Sequence, residues 1–258
     1  MRYIVEFLVA VLTVIALCGC TIKVGDTDNS KIITKSFDNK DFSEITFDGA
    51  VEADIVQDSV YSIKVEASEN NMEMIEVTQD RNKLHIGFND SLKKGSKIIN
   101  LNLNKDYKCK VYITVLDINM LELAGSGLIG MDALRNNETV NIAVTGSGMI
   151  VVDTLYAKDI NTTVTGSGNI TFMDVHSTTF SGFVTGSGDI MPSLVGVDEI
   201  NAQICGSGMQ IMKLENCGTV NAEITGSGCI SLSGTAKSLK KNIAGMGRIE
   251  TKELNIKE

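Results

Sequence analysis

Apolar residues in the second half of the chain return at a fixed interval of about 20 positions and form three columns. β-Branched residues at fixed columns, with polar residues between them, predict short strands that turn one face inward. The first column is Leu123, Val144, Val164, Val184, Ile204, Ile224 and Ile243. The second is Ile129, Ile150, Ile170, Ile190, Ile230 and Ile249, interrupted at Gln210, which Ile211 follows. The third is Val140, Ile160, Phe180, Ile200 and Val220, each followed by Asn or Ser.

Between the first two columns stands the tetrapeptide Thr-Gly-Ser-Gly, or a near copy of it, repeated seven times. The copies begin at Ala124, Thr145, Thr165, Thr185, Cys205, Thr225 and Ala244. A fixed period of this length is typical of a solenoid, in which each repeat is one coil stacked on the previous one. Glycine reaches positive φ without steric cost, so we expect a sharp turn here in every coil. The predicted turn residues are Gly146, Ser147, Gly148, Gly166, Ser167, Gly168, Gly186, Ser187, Gly188, Gly206, Ser207, Gly208, Gly226, Ser227 and Gly228.

The fold that this pattern predicts is all-β, a parallel β-helix with coils of about 20 residues marked by Gly-Ser-Gly turns. A helical interpretation fails because the glycine pairs would break a helix in every repeat. Stacked coils lie about 4.8 Å apart, which brings equivalent side chains of successive coils into register. We therefore expect the Ser of the turn, the Thr before it and the Asn column to form hydrogen-bonded ladders.

The first half of the chain, residues 36–122, is predicted to be irregular β structure. Alternating segments such as residues 51–56, 61–66, 83–88 and 110–115 are typical of strands. This half either continues the solenoid with irregular coils or forms a small sandwich-like lid. Irregular coils are favoured because residues 120–123 lead into the first Gly-Ser-Gly without a linker.

Residues 123–258 form the predicted repeat region, and it ends in a C-terminal cap. The last copy, Ala244-Gly245-Met246-Gly247, is degenerate. Lysine on an exposed strand edge discourages further strand addition, which favours a cap. The alternative is a solvated tail. The basic residues near this end are Lys237, Lys240, Lys241, Arg248, Lys252 and Lys257.

The N-terminus is predicted to be a lipoprotein signal peptide, residues 1–19. An apolar run from Phe7 to Leu17 follows Arg2 and leads into Leu17-Cys18-Gly19-Cys20, which resembles a bacterial lipobox. Cys20 would receive lipid, and polar residues 20–35 would form a flexible tether to the folded domain. The alternatives are an ordinary secretory signal or a buried helix. The lipobox interpretation predicts an exported protein, lipid-anchored to the outer membrane or cell surface.

Charge and cysteine content narrow the function classes. The net charge of −9 argues against nucleic-acid binding, which needs clustered Lys and Arg. Cys109, Cys205, Cys217 and Cys229 show no C-x-x-C spacing, which argues against zinc. We interpret them as small, half-buried side chains and leave open a disulfide among the last three. No metal or cofactor is predicted.

The sequence contains no recognisable set of catalytic residues. The aspartates of the repeats are scattered over different columns, and the two histidines, His85 and His176, lie far apart. Only Asp189 directly follows its Gly-Ser-Gly, at a position that varies between coils and is typical of an exposed face. A phosphate-binding loop would need a helix after the glycines, whereas a strand is predicted there. The repeat aspartates considered are Asp153, Asp159, Asp174, Asp189 and Asp198.

Several segments of the chain carry a family resemblance: Phe42 to Gly49, the strand from Val51 to Gln57, Lys83-Leu84-His85-Ile86, and the serial units Gly146–Ile150 and Gly166–Ile170. Through them the chain resembles the auto-transporter adhesin head GIN domain family over about residues 35–250. This resemblance implies a β-helical fold, an extracytoplasmic setting and no catalytic residues. The lipobox departs from a true autotransporter.

Two function classes follow from these observations. The first is a non-catalytic envelope lipoprotein, an adhesin or a glycan- or protein-binding module. Its expected partners are a membrane, through lipid on Cys20, and a surface polysaccharide or envelope protein. The alternative is a carbohydrate-active β-helix enzyme, a lyase or a hydrolase, which would need a line of acidic residues, Arg or His on one sheet face. The oligomeric state is left open.

Overall fold

The structure is a computed structural model that describes residues 31–89 and 109–257. The predicted signal peptide and Cys20 lie outside these residues. The described chain up to residue 115 contains β1 Ile32–Phe37, β2 Glu44–Gly49, β3 Glu52–Gln57, β4 Ser62–Ser68, α1 Glu69–Met72, β5 Ile75–Asp80, β6 Lys83–Phe88 and β7 Lys110–Val115.

The repeat region is an unbroken series of strands joined by tight corners. They are β8 Met120–Gly125, β9 Leu128–Arg135, β10 Thr139–Gly146, β11 Met149–Tyr156, β12 Asp159–Gly166, β13 Asn169–His176, β14 Thr179–Gly186, β15 Asp189–Val195, β16 Glu199–Gly206, β17 Met209–Gly226, β18 Cys229–Gly245 and β19 Arg248–Ile256. β17 and β18 each run through a corner and contribute to two sheets.

Strands of equivalent position pair in parallel and build two sheets. Sheet A contains β8, β10, β12, β14, β16 and the second halves of β17 and β18. Sheet B contains β9, β11, β13, β15, the first halves of β17 and β18, and β19. Each coil crosses sheet A, turns at Gly-Ser-Gly, crosses sheet B and turns again. The predicted parallel β-solenoid with coils of about 20 residues is confirmed.

The ladders of the solenoid continue into the first half of the chain. β2 pairs in parallel with β8, which places Gly49 opposite Gly125, and β3 pairs in parallel with β9. One layer further on, β6 pairs with β2 and β7 with β3. These layers lack Gly-Ser-Gly but keep the register of the sheets that follow them.

Antiparallel strands form the N-terminal end of the solenoid. β5 pairs antiparallel with β6, β4 with β7, and β1 with β4. Because Ile32 already opens β1, the predicted tether of residues 20–35 ends before this residue. Its last positions, Ile-Ile-Thr-Lys, include β-branched side chains that suit a strand.

The interior is one continuous hydrophobic cluster filled by the three predicted columns. Phe172 of sheet B and Phe180 of sheet A meet edge to face, with ring centroids 6.2 Å apart. Two positions differ from the sequence expectation. Gln210 is fully buried and Ile211 is 38% exposed, because the strand keeps its alternation through this coil. Ile243 is 43% exposed, since no strand of the described chain stacks beyond the second half of β18.

The Gly-Ser-Gly turns bring successive backbones into direct contact. The first glycine of each described copy has φ between +112° and +139°. In the coils from Ser147 to Ser227, the serine backbone N–H donates to the carbonyl of the first glycine one coil earlier, at 2.8–2.9 Å. A Cβ on Gly166 would lie 2.6 Å from the Gly146 oxygen. The predicted ladder of serine hydroxyls is absent from the described coils, where the backbone N–H makes the bond instead.

We expect Gly166→Ala to destabilise the protein by roughly 3 kcal/mol or more, because it adds a backbone clash to an unfavourable positive φ. Gly196 is the matched control, since it has φ of +66° and open space within 4 Å of an added Cβ. Gly196→Ala should cost about 1 kcal/mol from its φ alone. Urea unfolding of both variants measures the difference, and equal losses would contradict the contact between stacked turns.

Candidate functional site

The outer face of sheet A carries three rows of side chains, each at one register position of successive coils. The amide row contains Asn141, Asn161, Ser181, Asn201 and Asn221. The middle row contains Ala143, Thr163, Phe183, Gln203 and Glu223. The turn row contains Thr145, Thr165, Thr185, Cys205 and Thr225.

The amide row forms two hydrogen-bonded steps with a gap between them. Asn161 Nδ2 donates to Asn141 Oδ1 at 3.1 Å, and Asn221 Nδ2 donates to Asn201 Oδ1 at 2.9 Å. Ser181 interrupts the ladder. Asn161 Oδ1 and Asn201 Nδ2, which flank the gap, bond no other group of the described chain. The expected asparagine ladder is therefore present in two pieces, while the threonine hydroxyls of the turn row make no such ladder in these coils.

A shallow groove of about 370 Å³ lies at this gap. It crosses three neighbouring strands, and its lining includes Asn161, Phe183, Asn201 and Gln203. The Phe183 ring is 40% exposed in a row whose other members are small or polar. Every lining residue is uncharged. The groove thus offers amide and hydroxyl groups around one apolar surface.

Gln210 supports this groove from inside the core. Its Nε2 donates to the carbonyls of Gly182 at 3.0 Å and Gln203 at 2.8 Å, reaching from sheet B to sheet A. A Cβ at residue 182 would lie 2.9 Å from Gln210 Oε1, so the glycine makes room for the amide. Gln210 Oε1 is buried without a hydrogen-bond partner in the described chain. On the next strand, the Thr162 hydroxyl donates to the Ser181 carbonyl at 3.0 Å.

The outer face of sheet B carries a stack of planar side chains. The Arg135 guanidinium lies 4.2 Å from the centre of the Tyr156 ring, and the Tyr156 and His176 rings are parallel with centroids 4.5 Å apart. His176 Nε2 lies 3.1 Å from Asp174 Oδ2. Gln57 extends the stack by bonding both backbone groups of Arg135 at 2.8 Å. Stacking on equivalent positions is a direct consequence of the 20-residue register.

Acidic side chains lie at several places along sheet B, and three of them line one groove. A second groove, of about 250 Å³ on sheet B, is lined by Asp54, Asp132 and Asp153 among others. No group of three or more His, Cys, Asp or Glu in the described part of the chain could hold a metal ion. Asp174 lies near the end of β13, whereas Asp189 begins β15 beside the turn. Burial raises the pKa of the Asp189 carboxyl, and the backbone N–H of Met209 partly opposes this.

The four cysteines of the described chain are free thiols, with no disulfide among Cys205, Cys217 and Cys229. Cys205 is exposed in the turn row, whereas Cys109 and Cys217 are buried. Burial raises the pKa of the Cys109 thiol to about 11 and also raises that of Cys217.

Comparison with known proteins agrees with this architecture. Residues 41–211 and 193–258 match the family described as "Putative auto-transporter adhesin, head GIN domain". The chain belongs to this family. The resemblance seen in the sequence is thereby confirmed. The family's description as an adhesin suggests a protein that is exported or at the cell surface. No curated protein was found to match the chain.

Solved structures share the fold of this head GIN domain protein. A "putative adhesin" from Bacteroides fragilis aligns with a TM-score of 0.74 at 20% identity, covering 88% of this chain and 99% of the other. A "putative lipid binding protein" from Parabacteroides distasonis aligns at 0.68 and 21% identity, covering 86% and 97%. A "putative adhesin" from Parabacteroides merdae gives 0.65 and 19%, covering 86% and 96%. At these identities the likeness shows the fold alone.

Sequence reasoning missed the groove on sheet A, although its columns contained the signal. Phe183 is the one aromatic residue in the middle row, and Ser181 replaces the amide of its neighbours. Gln210 drew attention only as a break in a column of isoleucines. These departures point to one place only after the register of both sheets is known.

In the described chain, no helix has the length and hydropathy needed to cross a bilayer.

We expect brief iodoacetamide treatment of the native protein to label Cys205 and to leave Cys109 and Cys217 unmodified. The reason is that alkylation requires an accessible thiolate, and the Cys109 and Cys217 thiols are buried with raised pKa values, whereas Cys229 is half-buried. Peptide mass spectrometry before and after unfolding in guanidinium chloride, without a reductant, measures this. A disulfide would show as cysteines that stay unlabelled even in the unfolded chain.

Proposed function

We propose that this protein is a non-catalytic lipoprotein of the bacterial cell envelope that acts as an adhesin, with a surface polysaccharide as the favoured partner and an envelope protein as the alternative. The single observation that carries the proposal is the outer face of sheet A. Its rows of neutral amide and hydroxyl groups repeat about every 4.8 Å along the stack. Such a surface suits many equivalent weak contacts with an extended partner.

A regular surface of this kind gains affinity by repetition. Each contact with a sugar hydroxyl is weak because it replaces a bond to water. Contacts along one polymer chain add up, since the second binds at a high effective concentration once the first has formed. The described repeats offer at least five positions in each row. Avidity without a deep pocket is the expected behaviour.

The proposed anchor is lipid on Cys20. An acyl group there would hold the solenoid at the outer membrane or cell surface through the segment that precedes β1. Antiparallel strands close the N-terminal end from which this segment starts. The stacked faces would then extend away from the attachment point, where sheet A can meet a partner.

We expect Cys20→Ala to abolish incorporation of labelled palmitate and to release the protein from the membrane fraction, because the acceptor thiol is lost. Cys18→Ala is the matched control, since it leaves the acceptor in place and should stay lipidated. Metabolic labelling followed by membrane fractionation measures both. Palmitate labelling of the Cys20→Ala protein would contradict the proposed anchor.

We expect the whole protein, purified in mild detergent, to be retarded in native gels that contain a neutral polysaccharide. The panel comprises a β-glucan, an α-mannan, a xylan and, as acidic members, alginate and polygalacturonate. Polymer length and reducing ends should stay unchanged after prolonged incubation. Chain cleavage that is lost in Asp174→Asn or Asp189→Asn would establish the enzyme alternative instead.

A further inference from the structure

Departures from the repeat gather at one place on the solenoid. In a repeat protein, each position is seen several times in nearly the same surroundings, so its usual occupant shows what the fold alone requires. Ser181 and Gln210 depart from columns that hold Asn and Ile in the adjacent coils. Thr162, Gly182 and Phe183 lie beside them, in columns whose occupant varies from coil to coil.

Gly182 and Gln210 are coupled across the core. The column of Gly182 holds Ile142, Thr162, Ala202 and Ala222 elsewhere, and a side chain at residue 182 would meet the Gln210 amide. Isoleucine fills the column of Gln210 in the coils on either side. The Gln210 Oε1 is buried without a hydrogen-bond partner in the described chain, a cost that isoleucine would not carry.

Together, these five residues shape the groove on the outer face of sheet A. Gln210 and Thr162 hold the carbonyls of Gly182, Gln203 and Ser181. Ser181 removes one amide from the amide row, which opens the gap between Asn161 and Asn201. Phe183 places an apolar ring beside this gap.

We propose that this groove is a binding subsite for a neutral, hydroxyl-rich sugar ring of a polysaccharide, a proposal that rests on the proposed function. The apolar face of the ring packs on Phe183. Its hydroxyls bond Asn161 Oδ1, an acceptor, and Asn201 Nδ2, a donor, neither of which bonds another group of the described chain. Gln203 completes the polar wall.

The charge of the lining selects the class of ligand. The lining of the sheet A groove contains no ionisable side chain, so it provides no partner for a carboxylate or sulfate on an acidic sugar. The groove on sheet B, in contrast, includes three aspartates and would repel an acidic polymer. A neutral polymer can lie across the groove and continue along the amide row above and below it.

Two substitutions to residues that occupy the same register position in an adjacent coil test the subsite without disturbing the fold. Ser181→Asn closes the gap with the residue found in the adjacent coils, and Phe183→Thr introduces the residue of the preceding coil. Each should weaken binding on the order of tenfold, through lost hydrogen bonds or lost ring packing, and leave the melting temperature unchanged or higher. The matched control is Met173→Thr, which removes a 57% exposed apolar side chain from sheet B.

The measurement is gel retardation of the whole protein in mild detergent, at graded concentrations of whichever neutral polysaccharide of the panel retards the wild type most. Weaker retardation of Ser181→Asn and Phe183→Thr, with Met173→Thr equal to wild type, supports the subsite. Equal retardation of all four proteins overturns the subsite and leaves the proposed function standing. Wild-type protein that is retarded by no polysaccharide, or only by alginate or polygalacturonate, overturns both the polysaccharide partner and the subsite.

Discussion

The contact between backbones of successive Gly-Ser-Gly turns is the constraint on which the rest of this structure depends. The serine N–H donates to the glycine carbonyl one coil earlier, and no side chain fits between the two turns. This contact fixes where every coil changes direction, and hence the length of each coil. Once the corner is fixed, the strands on both sides must pair in register, because a slip by one residue would turn every buried column outward. Two flat sheets and one continuous core follow from a single repeated approach of main chain to main chain.

The same register decides what the outside of the molecule can do. Each outward-pointing side chain lies about 4.8 Å from the side chain at the same register position of the next coil, so the outer side chains of this fold form rows. Rows of amides bond one another, as Asn141 and Asn161 do, and planar side chains stack, as Tyr156 does between Arg135 and His176. A row of like charges would repel itself, and the outer face of sheet A is instead largely neutral.

The fold was predictable because every coil of the solenoid repeats the same residue pattern, so the spacing of that pattern gives the coil length. Columns of isoleucine and valine, together with the glycine pairs, were sufficient for the coil length, the turn and the inward face. Two kinds of feature were not predictable. Ile243 follows the column rule but is exposed, because burial also requires a further coil to cover it. The antiparallel β1, β4 and β5 carry no repeat: alternation predicted a strand at β4 without its partners, most of β1 was assigned to the tether, and β5 was not predicted. The groove around Phe183 joins residues of three strands, and its members became neighbours only when the register was known.

Gln210 shows why irregular positions in a regular fold are informative. The isoleucines in its column show that the coil accepts an apolar side chain there, and isoleucine would leave no buried oxygen unpaired. The amide is accommodated by the absence of a side chain at Gly182, so the two positions are coupled across the core. Gln210 thus links the core to the outer side of sheet A, because the two carbonyls that it bonds belong to Gly182 and Gln203, which line the groove beside the only aromatic ring of the middle row.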